Sequence, residues 1–155
     1  MKKIVIAALA AGGLAAFPAL APADSAPVGA VKADLAKLQA DMSSARAALV
    51  GDAEKLAADA TAAKGTAPKA ARAAVKPDVQ KLHSDLVAAR AALKADHAQL
   101  KSDVAAAKQV KGAAKELRPM LKSTRATVRQ ERSEIRAELA KARQALRDLR
   151  ASFQK

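Results

Sequence analysis

His83 and His97 are the chain's two imidazoles, and they stand fourteen residues apart. On one helix that spacing is about 21 Å, too far to share a metal ion, and neither has a second ligand at metal-binding spacing. His83 and Ser84 are sequence neighbours. Helical neighbours point about 100° apart, so they do not form a base and nucleophile pair. Glu134 and Glu138 are paired acids on one helical face, with nothing in the sequence to mark a pocket around them. Cysteine is absent, which removes thiolate metal sites, cysteine nucleophiles and disulfides. The sequence holds no G-x-x-x-x-G-K-[ST] loop, no G-x-G-x-x-G turn after a strand and no H-E-x-x-H pair. Catalytic, cofactor-binding and metal-ligating residues are therefore expected to be none, and the protein is expected not to be an enzyme.

The residues whose pattern carries functional weight are bases. Lysine and arginine number 28 against 15 acids, a formal net charge of +13. The excess rises along the chain: residues 24–64 carry 5 bases and 6 acids, residues 65–111 carry 9 and 4, and residues 112–155 carry 12 and 5. Within the last segment Arg118, Lys122, Arg125, Arg129, Arg132 and Arg136 step by four and three. Arg143, Arg147 and Arg150 resume the stripe. A basic stripe beside an apolar seam is the pattern of a cationic amphipathic helix. These nine residues are the candidate polyanion-binding face. Ion pairing with aspartates of the first helix would account for some of them, but not for Lys122, Arg129 and Arg147, whose heptad position faces solvent.

The element that carries this stripe is one of three. VKADLAKLQADMSSARAALVGDAEKLAADATAAK (31–64) aligns without gaps to VKPDVQKLHSDLVAARAALKADHAQLKSDVAAAK (75–108), with 17 of 34 positions identical. Alanine-rich composition would match alanines by chance. It would not match Asp34, Asp41, Asp52 and Asp59 to Asp78, Asp85, Asp96 and Asp103. This is an internal duplication. Each copy carries apolar residues at alternating steps of four and three, for example Val31, Leu35, Leu38, Met42, Ala45 and Leu49. That spacing makes a heptad seam with one stutter per unit. A third Arg-rich segment, 109–155, continues the rule through Leu117, Leu121, Thr124, Val128, Arg132, Ile135 and Leu139. His97 falls on the seam of the second copy, as a polar core residue whose imidazole could titrate near neutrality.

The expected fold is all-α: three long amphipathic helices in an up-down-up bundle or an elongated coiled coil. Gly65 and Pro68 punctuate the first break, and Val110 to Gly112 form a weaker second one. Pro77 and Pro119 either kink the second and third helices or mark their starts. The segments read as a short linker at 24–30, helical repeats at 31–64 and 75–108, a connection at 65–74 and the third helix at 109–155. The heptad places the repeated aspartates at g, and places Lys32, Arg46, Lys64 and their copies at e. Antiparallel neighbours set g against g and e against e, so the first two helices are expected to meet with like charges.

At the N-terminus, Lys2 and Lys3 precede the apolar run Ile4 to Leu20. The small residues of Ala21-Pro22-Ala23 follow, the layout of a secretory signal peptide over 1–23. The expectation is export to a periplasmic or extracellular location. There the basic helix would meet an anionic lipid, lipopolysaccharide or an acidic cell-wall polymer. Nucleic acid is disfavoured by the export signal and by the lack of aromatics for base stacking, with Phe17 and Phe153 the only two in the chain. Two other functions fit the same sequence. One is a self-associating coiled-coil spacer whose charges set register. The other is an envelope holdase-type chaperone with thin, partly exposed seams.

Overall fold

The computed structural model describes residues 25–154, and the signal-peptide expectation lies outside them. The chain forms three helices, α1 (Ala26–Ala62), α2 (Pro68–Ala107) and α3 (Ala113–Ala151). α1 and α2 start before the expected repeat boundaries at 31 and 75, and α3 starts after the expected 109. Pro27 and Pro68 sit in the first turns of α1 and α2, where a missing backbone N–H costs nothing. Residues 26–30 and 68–74, read from the sequence as linker and connection, are therefore helical. Gly65 and Gly112 take φ of 85° and 89°, the left-handed conformation that glycine alone adopts without strain. These two residues turn the chain between helices. Pro77 and Pro119 do not start helices but lie inside them.

The directions of the helices are recorded by their ion pairs. Lys37 pairs with Asp96, and Lys55 with Asp78 at 2.7 Å, so α2 runs antiparallel to α1. Lys32 pairs with Glu116 at 2.5 Å, Arg46 with Glu134, and Lys64 with Asp148 at 3.7 Å, so α3 runs parallel to α1. This is the up-down-up order.

The bundle has a centre and two flanks. Both α2 and α3 pack along α1 but scarcely touch each other. The core follows from this. On α1, Val31, Met42, Ala53 and Ala60 are 0–1% exposed. Leu86, the α2 counterpart of Met42, is only half-buried, as is Leu93, the counterpart of buried Leu49, and Val79, the counterpart of buried Leu35, is 40% exposed. The core runs as two consecutive clusters, one around Val31, Leu35, Leu100 and Leu117 and the other around Met42, Leu49, Leu82 and Ile135. Buried alanines such as Ala53, Ala60 and Ala71 let the backbones of α1 and α2 come close in the second cluster.

Candidate functional site: a basic stripe on the rim of an open groove

The like-charge contact expected between α1 and α2 is present. Asp34 meets Asp103, Asp41 meets Asp96, Asp52 meets Asp85 and Asp59 meets Asp78 across the antiparallel interface. Lysines at heptad position c make it tolerable. Lys37 bridges Asp41 and Asp96; Lys55 bridges Asp59 and Asp78; Lys81 bridges Asp85 and Asp52. Each lysine stands four residues before an aspartate of its own helix and reaches another across the interface. The K-x-x-x-D spacing was visible in the sequence, and heptad bookkeeping restricted to e and g passes over it. The Lys37 ammonium, then Asp96, holds Asp41 below the ordinary aspartate range. Lys55 with Asp78 does the same for Asp59, and Lys81 with Asp52 for Asp85.

Among the described residues the fourth carboxylate pair, Asp34 with Asp103, has no bridging lysine. The duplication offset takes Lys55 to Gln99, whose Nε2 donates to Asp103 at 3.0 Å. Burial, then the carboxyls of Asp103 and Asp96, raises Asp34 above the ordinary aspartate range, against a pull from Lys37. A raised folded-state value contributes stability that is complete at low pH and lost as pH rises through it. The lowered values of Asp41, Asp59 and Asp85 act oppositely: their stabilisation holds above the ordinary value and is lost as pH falls through the folded one. Gln99→Lys is expected to raise the melting midpoint by about 2–4 °C at neutral pH. The gain should shrink when pH is lowered from neutral to about 3, through the ordinary aspartate range. Thermal melts at the two pH values check this.

With the aspartates held by lysines, the arginines of α3 are left without them. Ion pairs between α1 and α3 run the other way, from bases of α1 (Lys32, Arg46, Lys64) to acids of α3 (Glu116, Glu134, Asp148). This corrects the expectation that the α3 arginines answer the aspartates of the first helix. In a three-helix arrangement the g edge of α1 is taken by α2, so α1 offers α3 its basic e edge. Arg118, Lys122, Arg125, Arg129, Arg132, Arg136, Arg143, Arg147 and Arg150 are all exposed. None of the nine makes an ion pair with a described residue. At about 100° per residue they fall within an arc of roughly 80° on α3, so they form one continuous stripe.

The stripe borders the space where α2 and α3 diverge. There a groove of about 800 Å³ runs over the α1 residues Leu35 to Leu49. Its floor includes Leu38, Met42 and Leu49 of α1, and its sides include Leu93 of α2 and Val128 and Leu139 of α3. Arg125, Arg129, Arg132 and Arg136 line it from α3, and Arg90, Lys94 and His97 from α2. Arg118 and Lys122 lie before this stretch, and Arg143, Arg147 and Arg150 beyond it. Two base-bearing edges thus face each other, the e-against-e contact of antiparallel neighbours. Their repulsion, with no acid between them, accounts for the separation of α2 and α3. His97 and Arg132, placed on the seams by periodicity, are accordingly exposed at the groove rather than buried in a core.

Among the described residues there is no group of three His, Cys, Asp or Glu side chains placed to hold a metal ion. No described helix is long and apolar enough to cross a membrane. Comparison of the chain with models of protein families, with curated proteins and with solved structures finds no match.

Proposed function

We propose that this is a non-enzymatic helical protein of the cell envelope whose third helix docks on anionic lipid surfaces. The observation that carries the reading is the unpaired state of the α3 stripe. Nine exposed bases share one arc, while the bases that hold the bundle together are other residues. Stripes of this kind act collectively: each base near an anionic leaflet adds attraction, and the sum falls steeply with salt. The N-terminal signal layout read from the sequence supports an envelope location, where lipids and lipopolysaccharide are the nearest polyanions.

Sedimentation with vesicles tests this. The full chain is expected to bind vesicles rich in phosphatidylglycerol and to be released as salt is raised from low ionic strength to about 0.5 M, where the screening length has shortened to about 4 Å. Binding to neutral phosphatidylcholine vesicles that equals the anionic case at low salt would overturn the proposal. The apolar segment Ile4 to Leu20 could itself enter bilayers, but that contribution is independent of lipid charge and so appears in both arms.

A further inference from the structure

The groove between α2 and α3 combines two properties rarely found together. Its floor is leucine, methionine and alanine, and every charged residue lining it is a base, with no aspartate or glutamate among them. Hydrocarbon suits the floor and an anionic group suits the walls. The geometry points to a site for one anionic lipid molecule, its acyl chain along the leucine floor and its head group among Arg90, Lys94, Arg129 and Arg132. This inference rests on the reading of α3 as the lipid-facing element and names what that element holds.

Size and charge select this occupant over the alternatives. The α1 floor from Leu35 to Leu49 is about 21 Å long at helical rise. One leaflet's acyl layer is about 15 Å deep, so a single chain fits lengthwise. The 800 Å³ volume lies within the range of small-molecule sites, about 300–1,000 Å³. A second copy of this chain carries a net +13 and would bring bases against bases. An anionic head group instead neutralises the repulsion that keeps α2 and α3 apart, so binding should draw the two helices together.

The probe is anthroyloxy-stearate, a fluorescent fatty acid, added below its micelle-forming concentration to the full chain. Saturable binding at one per protein is expected, at least tenfold weaker for the uncharged methyl ester. Ala45→Phe fills the groove floor, and the double variant Arg129→Glu with Arg132→Glu repels the head group. Each is expected to weaken binding at least tenfold. The double variant changes only exposed side chains, so it keeps the test decisive if Ala45→Phe unfolds, which circular dichroism reports. Absence of saturable binding, or equal affinity in the double variant and the parent, overturns the site. So does a stable dimer that must dissociate before the probe binds. The surface reading stands or falls separately, on vesicle binding through Lys122, Arg143 and Arg147, which lie outside the groove.

Discussion

Reversing Lys122, Arg143 and Arg147 to glutamate is expected to lower affinity for anionic vesicles by a hundredfold or more, with helicity and melting midpoint unchanged. The two halves of this expectation have one origin. The three side chains are exposed and make no ion pair with a described residue, so the fold does not draw on them. Each contributes roughly a fivefold factor to binding near an anionic surface, and reversal replaces that attraction with repulsion. The converse variant replaces Lys37, Lys55 and Lys81 with alanine. It removes as many positive charges, yet it strips the cations from three carboxylate pairs. That variant should melt earlier and, while folded, keep most of its vesicle binding. Vesicle sedimentation beside thermal melts separates the two. The reversals change net charge by 6 and the alanine substitutions by 3, so a folded alanine variant that loses half or more of the reversal's binding free energy would make net charge rather than the stripe responsible.

The second large effect concerns the central helix. Leu49 and Leu93 are the same residue at equivalent places in the duplication, yet Leu49 is 4% exposed and Leu93 is half-buried on the groove wall. Leu49→Ala leaves a cavity between packed helices and is expected to cost about 3 kcal/mol. Leu93→Ala removes a side chain that water already reaches and is expected to cost about 1 kcal/mol. Domains of ordinary stability hold only about 5–15 kcal/mol, so the first substitution brings the protein near its limit and the second does not. Urea denaturation midpoints measure the difference. Equal costs would mean that α2 is as enclosed as α1 and that the groove is closed in solution.

Much of this fold was legible in the residues. The seam steps of four and three fixed the helices, Gly65 with Pro68 and Gly112 fixed the turns, and the duplicated aspartates at g foretold the meeting of like charges between α1 and α2. What stayed hidden was how that meeting is resolved. A heptad places Lys37, Lys55 and Lys81 at an outer position and says nothing of the reach of a four-carbon side chain across an interface. The seam was also over-read. Periodicity marks His97, Arg132 and Val79 as facing inward, but a seam is buried only if a neighbour covers it. The e edges of α2 and α3 carry bases that keep those neighbours apart. The nine bases were legible as a stripe on α3. Their freedom from the aspartates, and the groove beside them, depend on which edge of α1 each flanking helix takes, and periodicity alone does not decide that.

The most direct measurement uses the absence of cysteine from the chain. Single cysteines are introduced as Ala140→Cys, exposed at the edge of the α3 stripe, and as Ser44→Cys, exposed on α1 about 200° round from Met42 of the groove floor. Each is labelled with a polarity-sensitive fluorophore, and anionic vesicles are added. A blue shift at position 140, with none at position 44, is the expected result and places the α3 stripe against the membrane. Equal shifts at both positions, a shift at position 44 alone, or no shift while the protein sediments with the vesicles would contradict docking through α3.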